Sequence, residues 1–364
     1  MARIVYVNGK FLTQRLTGVQ RVAGELLRSL DSLLAETAYS GLQFVVLYPH
    51  GTESPAWRVI EGKSVGPASL SGPIWEQLVL PWSARDGLLL NLSGSTPWMG
   101  RRQACMLHDA AVFDWPEAYS WAFRRWYQFL FTRLGRRAEL LLTPSCFSAK
   151  RLAACITGLR LDRLHVLPCA ASHILEQIPD LRILEKHKLA PKNFLLTVAS
   201  NNPSKNLAGL LRAHASWKLR LQYPLVLVGG SNAAVFADIA LSPCGDGSQL
   251  FLGPVNDAEL VALYQQALGF VLPSFYEGFG LPPLEAMQSG CAVAVSNYAS
   301  LPEVCGEAAL YFDPKNEAEI IQTLSLLAMD INGREKLCTQ GLSRASMFSW
   351  RRSAEILLEL LQQY

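Results

Sequence analysis

Phe270-Val271-Leu272-Pro273-Ser274-Phe275-Tyr276-Glu277-Gly278-Phe279-Gly280-Leu281-Pro282-Pro283-Leu284-Glu285-Ala286-Met287 packs a strand, a glycine turn and a helix start into one short stretch. The apolar run Phe270–Leu272 predicts a buried strand. Gly278 and Gly280 let backbone N–H groups approach a ligand closely. Pro282 and Pro283 suit a first helical turn, where a missing N–H is harmless. The N-terminus of such a helix carries partial positive charge, so the turn reads as a diphosphate site. Glu277 and Glu285, separated by seven residues, sit at the strand exit and in the first helical turn. They are expected to face different parts of one ligand, with carboxylates suited to sugar or ribose hydroxyls.

Outward from this stretch the strand–loop–helix alternation repeats. Ile4–Val7, Phe44–Tyr48, Leu88–Asn91, Gln103–Leu107, Leu140–Thr143 and Leu164–Leu167 are predicted strands, with amphipathic helices such as Val19–Leu34 and Ser145–Ile156 between them. A second set follows: Phe194–Ala199, Leu225–Val228, Leu250–Leu252, Phe270–Leu272 and Ala292–Ser296, with helices near Leu207–Leu221, Ala258–Ala267 and Pro283–Ser289. Such alternation predicts two parallel sheets covered by helices on both faces. The 364-residue length also favours two domains. The expected division is 1–172, a linker over 173–192 that carries Pro179 and Pro191, 193–346, and a C-terminal amphipathic helix over 347–364 N-capped by Ser349.

Composition excludes several classes. Half the residues are apolar and 17% are charged, ordinary for a globular enzyme. No apolar run of about 18 residues predicts a spanning helix, and the first residues read as a strand rather than a signal peptide. The eight cysteines form no C-x-x-C pair, which fits neither a zinc site nor a disulfide scaffold and suits a reducing cytoplasm. A net charge of +3 does not imply nucleic acid.

Loops beyond the carboxyl ends of parallel strands are where ligands bind. Lys205 follows the strand Phe194–Ala199 through a polar turn and enters a helix, where it can reach a diphosphate as a point charge. His108 closes the strand Gln103–Leu107 and is expected in a cleft, with Asp109 beside it and Asp114 as a further candidate. Gly18, in Leu16-Thr17-Gly18-Val19-Gln20-Arg21, can let a loop close over phosphates or acceptor. Trp121–Arg137 interleaves aromatics with five arginines and no acid. Phe123, Arg124, Arg125, Trp126, Arg133, Arg136 and Arg137 there are expected to meet an anionic membrane surface. No recognition motif supports nucleic acid as the partner.

The Glu277-to-Glu285 signature resembles that of glycosyltransferase family 4, retaining enzymes of the GT-B fold. The resemblance continues through Gly290–Ser296, Leu301-Pro302-Glu303-Val304, Gly306–Pro314 and Phe348-Ser349-Trp350. It implies two facing Rossmann-like domains with the active site between them, and a final helix that crosses back to the first. It implies catalytic roles for His108, Asp109, Lys205 and Glu277, with Glu277 on the transferred sugar and Glu285 on the ribose. Gly18, Ser200, Gly278, Phe279, Gly280 and Leu281 would complete the donor site. Many relatives carry an Arg near Ser200; here Lys205 would carry that load with backbone donors or another basic residue.

The pattern most resembles bacterial mannosyltransferases of polysaccharide assembly. It implies hexose transfer from GDP-mannose to a polyprenyl-diphosphate-linked glycan in exopolysaccharide or O-antigen synthesis, at the inner face of the cytoplasmic membrane, with no required metal or cofactor. The alternatives are a UDP-glucose or rhamnose donor, a sugar-nucleotide epimerase, or a non-enzymatic donor-binding scaffold.

Overall fold

The computed structural model describes residues 3–36, 41–198, 200, 202–229 and 246–364; Ala199 at the end of one predicted strand, and Cys244, lie outside the described residues. The chain divides into two compact units: Met1–Cys169 together with Ser349–Tyr364, and Ala170–Phe348.

The first unit is built on a seven-stranded sheet. Its strands are β1 (Arg3–Asn8), β2 (Leu42–Tyr48), β3 (Glu61–Ser64), β4 (Leu88–Asn91), β5 (Gln103–Met106), β6 (Leu140–Thr143) and β7 (Leu164–Val166). They pair in parallel in the order β3-β2-β1-β4-β5-β6-β7. β4, β5 and β6 are buried along their whole length, as expected of strands covered on both faces. The exposed edge strand β3, Glu-Gly-Lys-Ser, was not expected, because it carries no apolar pattern. Tertiary contacts place it. Asp31 accepts the N–H groups of Arg58, Val59 and Ile60 at 2.7, 2.9 and 2.9 Å, which aims the chain at the open edge of β2.

The helix Gly18–Glu36 buries Val22, Leu26, Leu27, Leu30 and Leu33, and the C-terminal helix Trp350–Leu361 packs against it. Arg351 pairs with Glu36 at 2.6 Å, and the Ser353 hydroxyl donates to the Pro168 carbonyl at 2.6 Å. Ser349 caps the helix through Arg352 N, as its sequence suggests. The tail therefore crosses back to the first unit.

The second unit holds a six-stranded parallel sheet of β8 (Leu195–Val198), β9 (Leu225–Val228), β10 (Gln249–Gly253), β11 (Gly269–Leu272), β12 (Val293–Ser296) and β13 (Ala309–Phe312). They pair in the order β10-β9-β8-β11-β12-β13. β13 is a second strand missing from the expected set, although Ala309-Leu310-Tyr311-Phe312 forms an apolar run.

Two further expectations change. The helix foreseen over Leu207–Leu221 stops at Ser216. Trp217 turns extended, buries its ring and donates from Nε1 to Ser325 Oγ at 2.8 Å, a packing gain that outweighs helix propensity. The foreseen linker, 173–192, is folded into the second unit. It holds the helix Arg182–Lys186, and Asp180 N and Lys192 N donate to Ala258 O and Gln266 O at 3.0 and 2.7 Å.

Burial makes Cys105, Cys169, Cys291 and Cys305 structural thiols. It pushes Cys105, Cys291 and Cys305 up to about 12. No described helix is long and apolar enough to cross a membrane.

Candidate functional site

Strand order opens a candidate crevice in the second unit. β8 pairs with β9 on one side and β11 on the other, so successive connections depart in opposite directions between β8 and β11. Loops leaving the carboxyl ends of two such strands open a crevice for a ligand. The β8 loop carries Ser200 and Lys205; the β11 loop carries Ser274 to Gly280.

The two loops are joined. Phe275 N and Tyr276 N donate to the Ser204 carbonyl at 2.7 and 3.3 Å. Asn202 caps the turn Pro203–Lys205 through Ser204 N, and Asn206 adopts a left-handed φ of 49° while its side chain donates to Pro314 O at 2.8 Å. This geometry brings Lys205 Nζ within 2.8 Å of Glu277 Oε2. The other carboxylate oxygen of Glu277 accepts the Ser274 hydroxyl at 2.8 Å. An ammonium has three donors, so Lys205 can hold Glu277 and still offer hydrogens to a phosphate. The side chains of Lys205 and Glu277 are 25% and 11% exposed, so their charges are only partly screened.

The glycine turn is braced from below. The buried Ser300 hydroxyl lies 2.9 and 2.8 Å from the carbonyls of Glu277 and Phe279, which ties these acceptors inward and away from any anion. Gly280 takes φ 103° as the cap of the helix Leu281–Gln288. A Cβ there would stand 2.8 Å from Leu301 Cδ2. Phe279 is buried edge-on against Phe348, with ring centroids 5.6 Å apart. Gly278 and Leu281 stay part-exposed in the turn, and Ser200 is exposed.

Glu285, expected in the first helical turn, is the fifth residue of the helix Leu281–Gln288 and lies deeper than its sequence position suggested. It is 6% exposed. Oε1 sits 3.1 Å from His173 Nε2, and Oε2 accepts the Tyr264 hydroxyl at 3.1 Å. His173 and Tyr264 escaped the sequence reading. His173 falls in the supposed linker, and Tyr264 looks like any apolar helix residue. Only the fold sets them around the carboxylate.

The remaining candidates lie in the first unit. Gly18 begins the exposed end of the Gly18–Glu36 helix, beside a Thr17–Gln20 hydrogen bond. His108 follows β5, and its Nε2 lies 2.8 Å from Leu92 O. A carbonyl only accepts, so Nε2 bears the proton and Nδ1 keeps a lone pair. Burial holds the ring below its ordinary pKa, against the Leu92 bond and the Asp109 charge. Asp109 accepts Ala111 N at 2.8 Å and so caps the turn after the strand. Asp114 is engaged by Arg151 at 2.5 Å.

The His108 shift has a sign. Its folded pKa lies below the unfolded value of about 6.5, so the unfolded chain binds the proton first and stability falls as pH drops through that value. His108→Asn should therefore show a shallower loss of Tm between neutral pH and mild acid than the parent chain. Parallel melting curves would refute this.

The residues expected at a membrane lie on the helix Trp121–Arg137, capped by Ser120. Phe123, Arg125, Trp126, Arg136 and Arg137 are exposed, and Arg124 and Arg133 are part-buried. Arg133 donates from Nε to Trp98 O at 2.6 Å.

Residues 181–342 match the family model described as glycosyl transferases group 1. The chain is 35% identical over 260 residues to O-antigen chain mannosyltransferase B of Escherichia coli, across 68% of this chain and 67% of the relative. It is 28% identical over 379 residues to the serotype-specific mannosyltransferase WbdA of Escherichia coli, across 98% of this chain but 44% of that relative, so it spans less than half of WbdA. Among solved structures, sucrose-phosphate synthase from Thermosynechococcus elongatus superposes with a TM-score of 0.76 at 18% identity, over 100% of this chain and 99% of that one. The fold is thus GT-B, with two Rossmann-like units. The chain belongs to the group 1 glycosyl transferases and is a glycosyltransferase enzyme.

Proposed function

We propose that this enzyme transfers mannose from GDP-mannose to a hydroxyl of a polyprenyl-diphosphate-linked oligosaccharide in O-antigen or related polysaccharide assembly, with retention of configuration. The observation that carries the reading is the Lys205–Glu277 pair at the β8/β11 switch point, beside the glycine-capped Leu281–Gln288 helix. A cation, a helix N-terminus and a carboxylate at one crevice suit a negatively charged diphosphate joined to a hydroxyl-rich sugar. The choice of mannose and of a glycan acceptor follows the names of the Escherichia coli relatives.

In this reading Lys205 and the turn's backbone N–H groups bear the charge that grows on the departing nucleoside diphosphate, without a required cation. Glu277 holds hydroxyls of the transferred sugar, and Glu285 the ribose. The anomeric C–O bond to phosphate breaks as the acceptor oxygen bonds to the anomeric carbon. The acceptor's proton passes to the leaving phosphate oxygen. Neutral His108 offers its Nδ1 lone pair to a sugar hydroxyl, and Asp109 holds the turn that carries it.

The test is transfer from a panel of radiolabelled sugar nucleotides to a bacterial membrane lipid extract. GDP-mannose should label the lipid fraction, with EDTA leaving the rate unchanged. Labelling from UDP-glucose alone would overturn the donor; turnover without acceptor, or none at all, would overturn the reaction.

A further inference from the structure

The helix Trp121–Arg137 buries Leu130, Phe131, Leu134 and Gly135 against its own unit. On another side it borders a cavity of about 650 Å³ lined by Arg125, Arg133, Arg136 and Arg137, with Phe113 and Phe129 among the walls. None of the lining residues among the described chain carries a carboxylate. The volume lies in the range of ligand pockets, about 300–1,000 Å³.

Arginines in a last helical turn ordinarily serve the helix dipole and its free carbonyls. Here Arg163 already does so, donating to Gly135 O at 2.7 Å and to Ala138 O at 2.5 Å. Arg133 donates from Nε to Trp98 O and sets its guanidinium carbon 5.6 Å from the Trp98 ring centroid. Arg133 and Arg137 stand four residues apart, where like charges destabilise a helix. Burial, and then the charge of Arg137, lower the pKa of Arg133. A cavity that concentrates guanidinium groups this way gains most from a polyanion. Planar guanidinium forks match phosphate oxygens in pairs.

The cavity's margin is apolar. Trp98, Trp126 and Phe129 are 40%, 41% and 50% exposed. Phe129 lies 6.5 Å from Trp98 and 6.1 Å from Trp126 between ring centroids. Exposed aromatics beside basic groups suit the boundary between polar headgroups and apolar chains. The occupant that satisfies both features is a diphosphate carried on an apolar chain.

We propose that this arginine cavity binds the diphosphate of the lipid-linked acceptor, with the neighbouring aromatic residues against its first apolar units. The assignment rests on the acceptor class proposed above. It goes further in giving that acceptor a binding site on the first unit, and it separates the site from general attraction to a charged surface.

The test measures binding of the full chain to neutral phosphatidylcholine vesicles that carry a polyprenyl diphosphate. Vesicles with phosphatidylglycerol at matched charge, and a single-stranded oligonucleotide, serve as comparators. The diphosphate vesicles should bind at least about tenfold more tightly than the phosphatidylglycerol vesicles. Arg136→Ala with Arg137→Ala should weaken that binding about tenfold or more, as expected for lost charge-assisted hydrogen bonds. Replacing the same pair by Lys should restore it only in part, because charge returns without the fork. Unchanged melting temperatures would show that the variants are folded; Arg125→Ala provides a second probe if they are not. Equal binding to both lipids, full recovery with Lys, or preference for the oligonucleotide would each overturn the proposal. Selective binding without any sugar transfer would leave it standing and refute the proposed reaction. Transfer without selective binding would do the reverse.

Discussion

Lys205→Ala is expected to lower kcat about 100- to 1,000-fold, the usual cost of removing one preorganised group that stabilises transition-state charge. The effect should fall mainly on kcat, because charge on the leaving diphosphate grows as the anomeric bond breaks. Glu277→Gln should also lower turnover strongly. It loses the carboxylate proposed to hold the sugar and leaves Lys205 without its ion pair at 2.8 Å. The double variant should be less impaired than the product of the two single effects, since each residue positions the other. Steady-state kinetics on all four chains checks this. A near-parental kcat for Lys205→Ala would remove the phosphate role, and multiplicative effects would remove the coupling.

Glu285→Ala should injure both stability and donor affinity. His173 Nε2 and the Tyr264 hydroxyl would lose their shared acceptor in a site that is 6% exposed at Glu285. Each buried polar group so deprived costs about 1–3 kcal/mol. Glu285→Gln retains the shape and one acceptor oxygen, so it should fold better while still raising the donor KM. Tyr264→Phe leaves the carboxylate but releases one of its holds. It should raise donor KM by several-fold with kcat nearly unchanged, and the increase should vanish with a donor whose ribose lacks its hydroxyls. Melting curves and donor titrations separate the two effects. A normal KM in Glu285→Gln would refute ribose recognition by this residue.

The glycine turn was legible because its requirements are local. Gly280 must adopt φ 103°, and two prolines fit only the first turn of the helix that follows. The buried strands were legible because parallel strands covered on both faces need continuous apolar runs. β3 was not, because the backbone N–H groups of Arg58–Ile60 donating to Asp31, together with pairing to β2, place a polar edge that has no pattern of its own. Trp217 could not be foreseen as a helix stop either, since its partner Ser325 is remote in sequence.

The same distinction divides the site. Sequence by itself determined the class of chemistry: two alternating α/β halves, a glycine turn at a helix start, and two carboxylates at fixed spacing. Those features depend on backbone conformation and short-range order. Tertiary structure alone decided that Lys205 pairs with Glu277, that Ser300 braces the turn, and that His173 and Tyr264 grip Glu285. It also decided that Arg163 serves the end of the Trp121–Arg137 helix. These contacts join residues far apart in the chain, and side-chain hydrogen bonds require distances and angles that only the folded packing of strands and helices sets.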